Sequence, residues 1–442
     1  MTTDGPAGTG ATAENERFIP VRKAELIDAL VERGPLGSEG ERADFRQVCR
    51  LLAAIYHYEY FERLERLRHD YFYFNPEVEP HARFDAAALA AAYSDLVDSF
   101  AAVLADANFV ELPYAEVEHA HQTRATMRVE LKVPLDDFRE IRFFRRGHRR
   151  ETIATVDWFG LRKRTHEVTV YDDVILFAAM KPEAQLGSER ERKLLARRRI
   201  RPGSVLLKYF RNIAKSELNA LFPNARVVMS TFDKLVLSLP ALAGAVPLLL
   251  NLVSTATVLF AVIGFYLGVT AAAQEDEMKA ALAALSGLLA LVGFVTRQWL
   301  RYQRQSLKYQ KELSDNVYFH NVNNNAGIFD YMVGVAEDQE CKEAFLAYCF
   351  LRTAKAPSTQ AELDRRIEAW LAESFGIVLA FDVGAALTKL DRLGLLARDG
   401  GRLAVPTAGE TLARLACIWN GYFEPALASN SSTSKPTWRS TR

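Results

Sequence analysis

The chain has 442 residues, 49% of them hydrophobic, and its 55 Lys and Arg balance 55 Asp and Glu to a formal net charge of zero. That zero is a sum of unlike parts, and the length leaves room for about two or three domains. Four scattered cysteines, Cys49, Cys341, Cys349 and Cys417, with no C-x-x-C pair, argue against a disulfide framework or a structural zinc site.

In chain order, residues 1–16 are small and polar. They carry neither the basic nor the apolar part of a secretory signal and read as a disordered tail. Residues 17–234 read as an α+β domain. Ser38 and Glu41 form an S-x-x-E capping box, and Phe45, Val48, Leu52, Ile55, Leu64 and Leu67 recur at helical spacing to about Arg68. An Ala-rich stretch from Asp85 to Ala107 predicts a second helix. Strand patterns follow at 127–133, 153–159, 168–180 and 205–210, with a short helix at 216–222, so a small antiparallel sheet is expected.

From Leu235 to Gln274 there are 40 residues without a charged side chain, and Ala280 to Thr296 is uncharged again. About 20 apolar residues cross a bilayer. Pro240 and Pro247 make 235–250 an interfacial or re-entrant entry, while 251–273 and 280–296 can span. Glu275-Asp276-Glu277 is acidic, whereas Lys215, Arg226 and Lys234 precede the segment and Arg297, Arg301, Arg304, Lys308 and Lys311 follow it. The positive-inside rule then predicts a two-span hairpin in the cell membrane with both termini cytoplasmic. Three crossings are the rival topology. Gly264-x-x-x-Gly268 and Ala283-x-x-x-Gly287 predict close helix packing.

Residues 297–335 read as a charged helical connector, with a turn at Asn321–Gly327. In 336–422, helices at 338–351, 358–373 and 382–393 and a hairpin around Asp399-Gly400-Gly401 predict a winged-helix-like domain. Residues 423–442 read as a second disordered tail. The expected fold class is thus an α+β membrane protein: an N-terminal helical and antiparallel-sheet domain, a two-helix transmembrane hairpin and a C-terminal winged-helix-like domain.

Charge is unevenly placed. Residues 1–138 hold 14 Lys and Arg against 25 Asp and Glu, 139–215 hold 20 against 9, and 216–442 hold 21 against 21. In the basic block, Arg142, Arg145, Arg146, Arg149 and Arg150 form one cluster and Arg190, Arg192, Lys193, Arg197, Arg198, Arg199 and Arg201 another. Internal pairing with the acidic part, contact with anionic lipid headgroups, and an acidic protein partner all fit this pattern. Nucleic acid fits less well, because no RNA-binding aromatic motif accompanies the clusters and the recognition-helix candidate offers only Lys389 and Arg392.

Catalytic spacing is not found. The glycine-rich Gly5–Gly10 lacks a lysine, and there is no H-E-x-x-H, G-x-S-x-G or D-x-D-x-D-G. Glu116, Glu118, His119 and His121 hold metal-capable groups, but on a strand alternation would separate the carboxylates from the imidazoles. No cofactor or metal is expected, and no ionisable group lies inside the spans, which disfavours a transporter or channel component. A membrane-anchored, non-enzymatic scaffold or regulatory protein with a lipid, protein or homo-oligomeric partner is the leading expectation. A membrane-surface enzyme is the alternative.

The stretch Leu206-Leu-Lys-Tyr-Phe-Arg-Asn-Ile-Ala-Lys-Ser-Glu-Leu-Asn-Ala-Leu-Phe-Pro-Asn224, continuing through Met229 and Asp233-Lys234, resembles the transmembrane protein 143-like family, a domain of unknown function. Arg17-Phe-Ile-Pro-Val-Arg22 and Lys342-Glu-Ala-Phe-Leu-Ala-Tyr348 look like the same pattern, so the resemblance spans roughly Arg17 to Tyr422. Ala214 departs from it where proline is expected. The resemblance implies a membrane protein, of mitochondria or plastids in eukaryotes and of the cell membrane in bacteria, and supplies no catalytic residue.

Overall fold

The computed structural model describes residues 16–78, 85–113, 116–117, 130–132, 135–157, 162–187, 200–223, 226–228 and 318–423, with Glu189, Arg192 and single residues or short runs between 264 and 311. The first helices are α1 (Lys23–Arg33), α2 (Glu39–Phe72) and α3 (Ala86–Asp106). The capping box opens α2, with Ser38 Oγ accepting from Glu41 N at 3.2 Å and Glu41 Oε2 accepting from Ser38 N at 3.2 Å. Phe45, Val48, Leu52, Ile55 and Leu67 face inward, as their period requires. Among the described residues α3 alone is long and apolar enough to cross a membrane. Its Phe100 packs on Phe144 and Phe177, with ring centroids 5.9 and 5.4 Å away.

The strands are β1 (Val110–Leu112), β2 (Glu130–Lys132), β3 (Phe138–Asp157), β4 (Arg162–Met180), β5 (Val205–Ala214), β6 (Arg226–Val228) and β7 (Asn321–Asn324). Five make one antiparallel sheet in the order β1-β3-β4-β5-β7, and β2 pairs with β6. Alternation gives the sheet two buried faces. Ile175, Phe177, Leu207 and Tyr209 face the helices, and Val174, Leu176 and Phe210 meet Leu218, Leu221 and Phe222 on the other side. β5 pairs with β4 only from Val170 onward, so β3 and β4 run on as a two-stranded ribbon to the Asp157–Arg162 pair.

The remaining elements are α4 (Gly327–Arg352), α5 (Gln360–Phe375), α6 (Val383–Arg392), β8 (Ala397–Asp399), β9 (Arg402–Ala404) and α7 (Ala408–Gly421). Ser358 exchanges both backbone hydrogen bonds with Leu403, at 3.2 and 2.8 Å, which adds a third position to the β8–β9 hairpin. Every residue of α4 from Gln339 to Leu351 is buried, so this helix is the axis of the molecule. A single apolar cluster runs from Ile19 through α1, α2 and α3 to Leu415 of α7. The boundary at 335/336 therefore falls inside a helix, and the two soluble regions share one core.

Several expectations change. Asn321–Asn324 is an edge strand rather than a turn, and the connector beyond it is already the start of α4. Glu16 belongs to the ordered body instead of a tail. Glu116 and Val117 are helical, not extended. Gly264 is helical, and Gly268 lies in a turn with φ +74°. Ala283, Gly287, residues 235–250, Glu118, His119, His121 and the tails 1–15 and 424–442 lie outside the described residues.

Candidate functional site

The β3–β4 register puts Arg146 opposite Asp173, and both side chains are buried. Arg146 donates to Asp173 Oδ2 from Nη2 at 2.6 Å and from Nε at 3.1 Å, and to Tyr331 Oη at 3.0 Å. Its guanidinium lies over Phe18 and Phe109, 4.1 and 4.7 Å from the ring centroids. Tyr209 Oη donates to Asp173 Oδ1 at 2.6 Å, and Arg211 Nε donates to the same oxygen at 3.2 Å. Burial, then the hydrogen bond to Asp173, holds the Tyr209 phenol far above its usual range. Asp173 thus bridges Arg146, Arg211 and Tyr209, and the cluster ties three strands to α4.

Residues 16–21 cross this cluster as an extended strap. Glu16 accepts from Arg145 Nη1 at 2.9 Å and Gly147 N at 3.3 Å, and its Oε1 lies 2.6 Å from His148 Nδ1. Its own carbonyl accepts from Ala380 N at 3.0 Å. Gln339 brackets the backbone of buried Ile19, accepting from its N–H at 3.0 Å and donating to its carbonyl at 3.2 Å, and Lys342 Nζ donates to that carbonyl at 3.0 Å. Burial lowers the Lys342 pKa despite its Asp338 partner. The strap fastens the sheet to the C-terminal elements.

A third polar cluster joins α4 to α6. Lys389 Nζ lies 2.6 Å from Glu340 Oε1 and also contacts Glu343, to which Asn108 Nδ2 donates at 3.1 Å. Burial pushes Glu340 up to about 7, with Lys389 acting against the shift. Burial also opposes the charge on Lys389, but Glu343 and Glu340 override it and keep its pKa raised. Beside it opens a cleft of about 300 Å³ lined by Glu59, Glu62, Arg63, Arg66, Arg392 and Tyr422. Here Arg392 Nη1 donates to Glu59 at 2.8 Å and Arg63 Nη1 to Asp106 at 2.5 Å. A second cleft, of about 320 Å³ between Glu111 and Phe143, is mainly apolar.

Among the described residues, five of the expected basic side chains have internal partners. Arg142 is held bidentate by Glu111 at 2.8 and 2.5 Å, Arg145 by Glu16, Arg146 by Asp173, and Arg149 by Glu151 and Asp172. Arg201 donates to the carbonyls of Tyr73 and Asn75 at 2.9 and 3.0 Å, closing the end of α2. These five partnerships are internal, as the pairing alternative expects. Arg150 and Arg192 are exposed, and Arg190, Lys193, Arg197, Arg198 and Arg199 lie outside the described residues. Among the described residues no three His, Cys, Asp or Glu side chains are grouped to hold a metal. The pairings of Asp173, Glu16, Glu340 and Lys389 were not foreseen; the signal for the first was a carboxylate beside the apolar run Val174–Phe177 of a strand.

A family model described as a protein of unknown function (DUF3754) matches residues 171–327, from β4 through β5 and the uncharged segment to the first residue of α4. No solved structure matches the chain.

Proposed function

We propose that this chain is a membrane-anchored, non-enzymatic scaffold or interaction protein, with residues 251–273 and 280–296 as a two-span hairpin and both soluble regions in the cytoplasm. The observation that carries it is the pairing of β5, before the uncharged segment, with β7, after it, with Tyr209 opposite Asn323. If the intervening segment enters a bilayer, it leaves and returns to the same folded body. An even number of crossings follows, which favours the hairpin over three spans. Helical residues on its second half also expose apolar side chains: Leu289 is 64%, Val292 55% and Val295 55% accessible. Burying such surface in water-free hydrocarbon is favourable at about 25 cal/mol per Å². The resemblance to the transmembrane protein 143-like family points the same way.

The polar clusters support interaction over catalysis, because the ionisable groups described above are committed to bridging elements. In the winged-helix-like arrangement of α4, α5, α6 and the hairpin, the two cations of α6 are already paired, the buried Lys389 with Glu340 and Glu343 and the half-exposed Arg392 with Glu59. A DNA-reading helix needs such cations free to meet phosphates and base edges. Topology reporters fused to the N-terminus and after Arg442 test the membrane arrangement: cytoplasmic signals from both are expected, and opposite-side signals would reject it.

A further inference from the structure

We infer that the helical residues Arg297, Arg301, Arg304, Lys308 and Lys311 form a cationic stripe that binds the phosphates of anionic lipid headgroups. This rests on the membrane reading of residues 235–296.

All five side chains belong to residues in helical conformation, and all five are exposed. Their spacing is four, three, four, three. At ~100° per residue they occupy an arc of about 80° on one side of the helix. Such a row arises when cations must face one surface. The stripe begins at the residue after the uncharged run, so its first charge stands where a span would emerge into headgroups. Trp299, 58% accessible, falls on the opposite side of the wheel, and Leu300 and Leu307, 43% and 61% accessible, flank the stripe. Aromatic and aliphatic side chains close to Lys and Arg are common where a chain meets the headgroup layer. Among the described residues, Arg297, Arg301, Arg304 and Lys311 have no ion-pair partner, in contrast to Arg142, Arg145, Arg146 and Arg149. A second copy of the same stripe would repel it, and the acidic leaflet surface is complementary in charge.

The test uses the full chain reconstituted in vesicles of phosphatidylcholine alone and of phosphatidylcholine with phosphatidylglycerol, read by amide hydrogen exchange. Exchange over 297–311 should slow about fivefold or more with the anionic lipid, the factor equivalent to ~1 kcal/mol for one cation near a charged surface. The slowing should vanish in high salt and in a chain carrying Arg301→Gln, Arg304→Gln, Lys308→Gln and Lys311→Gln. Equal exchange in the two vesicle types, slowing that survives the four substitutions, or slowing produced only by added duplex nucleic acid would overturn the stripe as a lipid site. Residues 251–273 and 280–296 report separately. If they stay protected in every vesicle while 297–311 is indifferent to lipid charge, only the stripe fails; if they exchange freely, the membrane reading fails with it.

Discussion

Arg146 is a charge in an otherwise apolar layer, and Asp173, Tyr331, Phe18 and Phe109 compensate for its lost water. Breaking such a pair from one side leaves an uncompensated buried ion. Arg146→Ala should lower stability by about 3–5 kcal/mol, measured as the shift in denaturant midpoint of the detergent-solubilised chain. Arg146→Lys should recover only part of it, since lysine has no planar fork for Asp173 and the rings. An equal midpoint for Arg146→Ala and the unsubstituted chain would show the pair to be dispensable. Glu340 gives a pH prediction. Its pKa of about 7 in the folded chain lies above the ordinary 4.5, so the folded state binds its proton more tightly. The resulting stabilisation is fully present below about 4.5 and is lost as pH rises through about 7. Glu340→Gln should remove this dependence, so that between those limits the native chain loses up to about 3 kcal/mol relative to the variant, at ~1.4 kcal/mol per unit. Parallel pH profiles for the two would assign the proton elsewhere. At this scale the sequence shows which residues are charged but not their partners: Glu16 and Arg145 are 129 positions apart. The missing proline at Ala214 is a local matter, because the backbone there has φ −66°, the angle a proline ring imposes.

Elements were legible where one physical signal dominated. The long helix α2 announced itself by a capping box and a 3.6-residue apolar period, and α3 by its alanines. The long strands β3 and β4 were seen only in part, because charged residues such as Arg142 and Asp173, paired in the structure, interrupt their apolar pattern. β7 was read as a turn because asparagine favours turns, whereas its extended form is imposed by pairing with β5 more than a hundred residues earlier in the chain. The helix expected from 358 is capped by Thr359 and opens at Gln360, since Ser358 is taken up by its bridge to Leu403. The strap had no period at all. Its weight can still be predicted, because Ile19 is fully buried between the sheet and α4. Ile19→Ala should cost about 2–4 kcal/mol and should increase proteolysis in α5 and α6 as well as in α1, followed by limited digestion with mass mapping. Cleavage confined to the first residues would mean that the strap does not couple the C-terminal elements to the sheet.

On the scale of the whole molecule, the uncharged segment that divides the chain is visible in charge and hydropathy, but the joining of the regions before and after it is not. No composition signal marks α4 as the shared axis, although its run of inward residues on every side is what a central helix requires. A shared core makes a definite prediction about excision. Residues 17–228 without α4 would expose Tyr71, Phe100, Phe177 and Tyr209, and 321–422 alone would expose the other half of the same cluster. Neither fragment should fold by itself. A single chain in which 229–318 is replaced by a flexible Gly/Ser linker of ~20 residues, with an r.m.s. span of about 25 Å, should instead be soluble without detergent, monodisperse and cooperative in thermal unfolding, because β7 can still reach β5. Separate expression of the two fragments should give aggregated or proteolysed material, and the linked chain should show the far-UV signature of the helices and sheet described here. A linked chain that aggregates, or a 321–422 fragment that melts cooperatively alone, would reject the single shared core and with it the topological case for an even number of crossings.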